Sequence, residues 1–166
     1  MTGVKVLVLA DTHVRPDRAR TLPDVVWDAA DEADVVLHAG DVLTRDLLDE
    51  LARRAPTHAV LGNNDVGLRD SLPEVLELDL AGVSVAMIHD SGPTAGRAGR
   101  LRRRFPEAAV VVFGHSHLPV DEEGVDGQRL FNPGSPTERR RAPTRTFGWL
   151  ELDRGRTVAH RIVDIA

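Results

Sequence analysis

The sequence predicts an α/β protein in which two β-sheets pack face to face with helices outside, a two-sheet β-sandwich flanked by helices. Three observations predict it. From Val4 to Leu61 the chain alternates strand and helix patterns, the βαβαβ rhythm of parallel strands joined by right-handed crossovers. After Gly114–His117 it turns all-β, with hairpin signals between short strands. Five short apolar runs, at Val4–Ala10, Val35–Gly40, Ala59–Gly62, Val83–Ile88 and Ala108–Phe113, each lead into residues able to bind a metal. Apolar runs of this length read as buried strands.

The elements follow in order. Val4–Ala10 is a strand. Pro23–Ala33 places Val25, Val26, Ala29, Ala30 and Ala33 at helical spacing behind a proline. Asp34–Ala39 is the next strand. Thr44–Arg54 is a helix with Leu47, Leu48 and Leu51 on one face and Thr44 as its N-cap. Thr57–Leu61 is the third strand. Glu74–Leu80 and Val83–His89 flank the Ala81-Gly82 turn. Thr94–Phe105 forms a helix with a basic end, Arg100 and Arg102–Arg104, stopped by Pro106. Ala108–Phe113 returns as a strand. Val120–Glu123 and Gln128–Phe131 bracket Gly124–Gly127, and Thr146–Asp153 and Thr157–Ile165 bracket Arg154-Gly155.

A length of 166 residues fits one domain spanning 1–166. The chain is 42% hydrophobic and 28% charged, ordinary for a globular protein. A net charge of -5 gives no broad electrostatic reason to bind nucleic acid, and with 4% aromatics it argues against a single-strand binder. With no cysteine, disulfides and thiolate metal sites are excluded, so any metal is held by carboxylate, amide oxygen or imidazole. The first apolar run is short, ends at Asp11 and lacks a signal-peptide pattern, and no segment approaches the ~18 apolar residues of a membrane span. The expectation is a cytoplasmic protein with no membrane partner.

In open α/β sheets, sites form beyond the carboxyl ends of strands. Asp11-Thr12-His13 puts a carboxylate and an imidazole on one turn. Asp41 has two oxygens and can bridge two cations, with Gly40 allowing close backbone approach. His115 and His117 flank Ser116; an extended segment would point both to one side, a tight turn would splay them toward two cations. Asn63 and His89 complete a second, less acidic set. Two cations sharing a carboxylate at ~3.5–4 Å suit phosphoryl hydrolysis.

Asp-x-His, Gly-Asp, Gly-Asn-x-Asp, a His after a later strand and Gly-His-x-His occur here in that order, from Asp11 to His117. The set resembles the calcineurin-like metallophosphoesterase superfamily, and the short length resembles its small prokaryotic phosphodiesterase branch, related to Vps29-like proteins. Asn132-Pro133-Gly134-Ser135 resembles a loop of that branch. The resemblance implies a four-layer α/β/β/α fold and a binuclear, metal-dependent phosphodiesterase acting through metal-bound hydroxide on a small phosphodiester. It implies Asp11, His13, Asp41 and His117 at one metal and Asp41, Asn63, His89 and His115 at the other, with Mn2+ favoured and Fe, Zn, Ni or Co able to substitute. It is compatible with a homo-oligomer. The alternative is a Vps29-like scaffold that keeps the fold as a protein-binding surface.

The sequence departs from the pattern twice. Asn64 stands where many relatives carry a histidine that assists the leaving group; an amide cannot act as a general acid near pH 7, so monoesters with poor leaving groups are expected to be weak substrates. Asn64 and Asp65 are expected to position substrate or support the ligands. His89-Asp90-Ser91-Gly92 replaces a His-Gly-His pattern, giving Asp90 a supporting role. Of the other histidines, His38 reads as a buried hydrogen-bonded neighbour, His58 as an exposed connection residue and His160 as structural. Arg100–Arg104 reads as a solvated helix face. Arg139–Arg141 reads as a solvated loop and is the better candidate for contacting substrate phosphate. Trp27 and Trp149 read as packing residues.

Overall fold

The computed structural model describes residues 3–15 and 21–165. In chain order the elements are β1 (Val4–Leu9), α1 (Asp24–Glu32), β2 (Val35–His38), α2 (Arg45–Ala52), β3 (Thr57–Ala59), β4 (Val75–Leu80), β5 (Val83–Ile88), α3 (Arg97–Arg104), β6 (Val110–Val112), β7 (Val120–Glu123), β8 (Arg129–Asn132), β9 (Arg145–Asp153) and β10 (Arg156–Ile165). One five-stranded sheet runs β10-β9-β1-β2-β3 and the other β4-β5-β6-β8-β7. Both are mixed. β1, β2 and β3 are parallel, and so are β5, β6 and β8, while β9, β10, β4 and β7 pair antiparallel.

The apolar runs lack alternation because each sheet is covered twice. On β1, Leu7 and Leu9 pack with Val26 and Ala30 of α1 and Leu47 and Leu51 of α2. Val6 and Val8 face the other way and meet Val85, Met87, Val110 and Val112 of the second sheet. On that sheet the outer face, with Ala86 and Val111, packs against Leu101 and Phe105 from α3 and its end. The layers are therefore α/β/β/α, as the sequence predicts. Each fully buried Val or Leu of these layers contributes about 1.5–3 kcal/mol by burial.

The turns at one end match their residues. Ala81 and Gly82 have φ 52° and 81°, and Arg154 and Gly155 have φ 50° and 79°. Each pair links directly register-matched strand ends, Leu80 to Val83 and Asp153 to Arg156. Two consecutive positive φ angles are what a two-residue hairpin needs for its twist to match the strands. Gly155 N–H donates to the Ala81 carbonyl at 2.8 Å, joining the two sheets at this end.

One helix cap and one helix start differ from expectation. Thr44 occupies the N-cap position of α2, but its hydroxyl makes no capping hydrogen bond. The approach is held one residue earlier, where Leu43 N–H donates to Asp65 at 2.8 Å. The third helix begins at Arg97, not Thr94, because Gly96 is left-handed at φ 73°. Arg100 is not a solvated side chain either: its guanidinium donates to the carbonyls of Ser91, Pro93 and Ala95, tying the approach to the helix. Among the described residues, no helix is long and apolar enough to cross a membrane.

Candidate metal centre

The carboxyl ends of the parallel strands meet at the end opposite the two hairpins, and the loops leaving them turn sharply. Asp11 (φ 54°), His13 (47°), Asp41 (60°), His115 (72°) and His117 (63°) all have left-handed backbone, half of the ten non-glycine residues that do so among those described. Such conformations cost about 1–3 kcal/mol each and persist only where the surroundings over-determine them. Here main-chain bonds do so: Asp11 N–H to the Gly40 carbonyl (2.9 Å), His13 N–H to that of Asp41 (3.0 Å) and Gly114 N–H to that of His89 (2.9 Å). Gly40 itself has φ 101°, and a Cβ there would lie 2.6 Å from His89 Nδ1. The turn at Ser116 splays its histidines. The His117 ring sits 5.4 Å from that of His13, and the His115 ring 5.2 Å from that of His89.

All seven candidate ligands come together. Donor atoms of Asp11, His13 and His117 lie within 4.8 Å of one another, as do those of Asp11, Asp41 and His89. Asp41 Oδ2 is 3.4 Å from His13 Nε2 and 3.4 Å from His89 Nε2, so one oxygen faces both groups. Asp11 Oδ1 is also central, 3.7 Å from His117 Nε2 and 3.9 Å from His89 Nε2. Asn63 Oδ1 lies 2.9 Å from His89 Nε2 and 3.2 Å from His115 Nδ1. Asp11, His13, Asp41, His89 and His117 are buried; Asn63 and His115 lie on the open side.

The donor set fits divalent metal. Among the described residues, the buried atoms Asp11 Oδ1 and His13 Nε2 find no hydrogen-bond partner, in interiors where such atoms are normally satisfied. Burial pushes the Asp11 carboxyl up to about 7, with Asp41 adding repulsion against the attraction of His89. A cation would remove that penalty. Burial would raise Asp41 too, but hydrogen bonds from His89 and Asn64 outweigh it and hold the carboxyl well below the usual range. Burial lowers His13 and His117, keeping them neutral as ligation requires. His89 is raised despite its burial, because Asp41 and Asp11 face it.

Supports aim these groups. His89 Nδ1–H donates to the Ala39 carbonyl at 2.7 Å and His117 Nδ1–H to that of Glu138 at 2.9 Å, leaving both Nε2 atoms toward the centre. His115 instead turns Nδ1 to Asn63 and has Nε2 3.9 Å from Asp90, consistent with a supporting role for Asp90. Ser135 Oγ donates to the Asp11 carbonyl at 2.9 Å and Thr137 Oγ1 to that of Thr12 at 2.8 Å. Asn132 Nδ2 donates to the Gly114 carbonyl at 3.2 Å. The 132–138 segment thus braces both ligand loops, an arrangement for which only the Asn132–Ser135 motif was a sequence signal. Asp65 is buried and accepts N–H groups from Asp41, Leu43 and Gly62, so its carboxylate is engaged in organising the loops. Asn64 is exposed and donates from its main chain and side chain to both Asp41 oxygens, at 2.8 and 3.0 Å.

His38 is fully buried, shares a hydrogen bond of 2.9 Å with Thr12 Oγ1 and accepts Gly40 N–H, and burial pushes it down to about 3. His58 is half-buried, because it lies within the edge strand β3. His160 hydrogen-bonds Asp121 at 2.7 Å, linking β10 to β7. Trp149 is buried under Lys5, and Trp27 packs against Arg54. A cavity of about 740 Å³ opens beside Asn63 and His89, with Arg69, Glu74, Asp90 and Arg104 in its wall. A second, of about 400 Å³, adjoins His115 on the other flank.

Residues 4–155 match the model of the calcineurin-like phosphoesterase superfamily domain. The chain belongs to this superfamily. It is 37% identical over 132 residues to a probable metallophosphoesterase of Methanothermobacter thermautotrophicus, covering 78% of this chain and 76% of that protein. Vacuolar protein sorting 29 from Cryptosporidium parvum superposes with a TM-score of 0.85 at 21% identity, covering 100% of this chain and 93% of that one. An archaeal phosphodiesterase superposes with a TM-score of 0.72 at 20% identity, covering 97% and 99%. The fold expectation is met in full by these likenesses.

Proposed function

We propose that this chain is a two-metal phosphodiesterase of the cytoplasm that cleaves a small phosphodiester. The observation that carries the reading is Asp41 Oδ2, equidistant at 3.4 Å from imidazole nitrogens of two separate ligand groups, beside the orphaned Asp11 Oδ1 and His13 Nε2. Asp11, His13, Asp41 and His117 would hold one ion, and Asp41, Asn63, His89 and His115 the other, with Mn2+ the preferred metal. When bound, such a pair supplies Lewis acidity toward water and the phosphoryl oxygens. The chain's own residues do the rest. Buried Asp11 and Asp41 fix the charge of the centre, the carbonyls of Ala39 and Glu138 fix the histidine tautomers, and open-sided Asn63 and His115 leave room for substrate. Asn64, exposed beside Asp41, can donate to a phosphate oxygen but cannot protonate a poor leaving group.

A Vps29-like scaffold is supported by the likeness to vacuolar protein sorting 29. Ligand completeness favours the enzyme: each of the seven positions holds a residue able to coordinate, and they cluster. The discriminating experiment assays metal-stripped protein on bis-p-nitrophenyl phosphate, with Mn2+, Fe2+, Zn2+, Ni2+ or Co2+ added back singly. The enzyme reading expects activity restored by Mn2+ above the others, and much slower turnover of p-nitrophenyl phosphate. Metal binding without turnover of either ester would favour the scaffold.

A further inference from the structure

The 400 Å³ cavity is lined by His115, Ser116, Leu118, Arg140 and Arg141. Among the described residues, two guanidinium groups and no carboxylate line it, in a chain of net charge -5. Because His115 is shared with the proposed metal centre, the cavity opens directly beside the site of reaction. The two arginines are presented by a fixed turn. Ala142 N–H donates to the Arg139 carbonyl at 2.8 Å, Arg139 Nη1 donates back to the Ala142 carbonyl at 3.1 Å, and Arg140 between them is left-handed at φ 48°. Arg140 and the Glu138 carboxylate are both near enough for their opposite charges to act on His13 and His117, and the Arg140 charge also reaches Asp11. Its ion pair with Glu138 is long, 3.8 Å through Nε, and the arginine side chain is 54% exposed, so the pairing is weak and screened. Arg141 is exposed and has no partner among the described residues.

We infer that this cavity is an anion subsite that receives a second phosphate group of the substrate. The inference rests on the two-metal reading for the position of the scissile group. Two divalent ions against the carboxylates of Asp11 and Asp41 already exceed the single negative charge of a phosphodiester. A further pair of arginines alongside is matched electrostatically by a substrate carrying an additional phosphate. The preferred substrate class is therefore a phosphodiester bearing a separate phosphate, such as a phosphorylated nucleotide ester, and not a simple diester.

The test compares thymidine 3′,5′-bisphosphate with thymidine 5′-phosphate, binding to the Mn2+-loaded protein by calorimetry. The bisphosphate should bind about tenfold tighter or more, as charge-assisted contacts to arginine allow. That ratio should fall toward one in Arg141→Ala and in Arg140→Ala/Arg141→Ala, with folding checked by circular dichroism; Arg141→Ala, at an exposed turn tip, keeps the test open if the double variant misfolds. Equal affinities in the unmodified protein, or a preference that survives removal of both arginines, would overturn the subsite. Turnover of the p-nitrophenyl ester of thymidine 5′-phosphate, with and without a 3′-phosphate, separates the two claims. Binding preference without turnover retains the subsite and refutes the phosphodiesterase; turnover with no preference does the reverse.

Discussion

The sandwich carries left-handed backbone at both ends, for opposite reasons. At the hairpin end, Ala81-Gly82 and Arg154-Gly155 adopt positive φ because two-residue turns require it, and a glycine in each pair makes it inexpensive. At the ligand end, Asp11, His13, Asp41, His115 and His117 adopt it against their own preference. That end also holds the buried carboxylate oxygen and imidazole nitrogen that lack partners among the described residues, Asp11 Oδ1 and His13 Nε2. One end closes the chain with turns in which a glycine takes one of the two left-handed positions. The other stores strain and unsatisfied polarity that a bound cation would relieve, the usual position of a functional site against a stable scaffold.

Substitutions at the two ends should separate accordingly. Asp41→Ala removes the oxygen facing both ligand groups, so both metals should be lost and turnover of bis-p-nitrophenyl phosphate should fall on the order of a thousandfold or more, read by metal analysis and kcat/KM. Asp11→Asn should also lose metal, yet the metal-free variant should be more stable than metal-free wild type, by on the order of 2 kcal/mol in urea unfolding. The pH dependence follows from the sign. The folded-state pKa of Asp11, about 7, lies above its ordinary value of 3.8, so its ionisation penalty is complete above pH 7 and disappears as pH falls toward 4. The stability gap between variant and wild type should therefore narrow from pH 8 to pH 4; a constant gap would mean that Asp11 is not the source.

Ser135→Ala deletes the hydroxyl that holds the Asp11 carbonyl, and should weaken metal affinity about tenfold while leaving the fold intact by circular dichroism. The smallest effect belongs to the far end. Gly155→Ala places a side chain at φ 79° with space around it, so it should cost about 1 kcal/mol of stability and leave kcat/KM unchanged. A kinetic defect there would show that the two ends are coupled.

What the sequence revealed follows the same division. Val4–Ala10 and Ala108–Phe113 were legible as strands because burial on both faces leaves near-continuous apolar runs. Ala81-Gly82 and Arg154-Gly155 were legible because the turn chemistry is written in the residues. The seven ligand positions were legible as donors placed after strands, but their left-handed backbone was not, since loops elsewhere impose it. Nor was the bracing by the Ser135 and Thr137 hydroxyls, which lie more than a hundred residues from Asp11 and Thr12, or by the Glu138 carbonyl behind His117; each of these bonds uses a main-chain carbonyl, a group common to every residue. The start of α3 was misplaced because Gly96 acts through its φ angle, and Arg100 was misread because its partners are carbonyls.

The most direct test of the central claim is anomalous diffraction from crystals of the protein grown with Mn2+. Two peaks should flank Asp41 Oδ2, one among Asp11, His13 and His117 and one among Asn63, His89 and His115. A single peak, or two that do not share Asp41, would contradict the bridged centre.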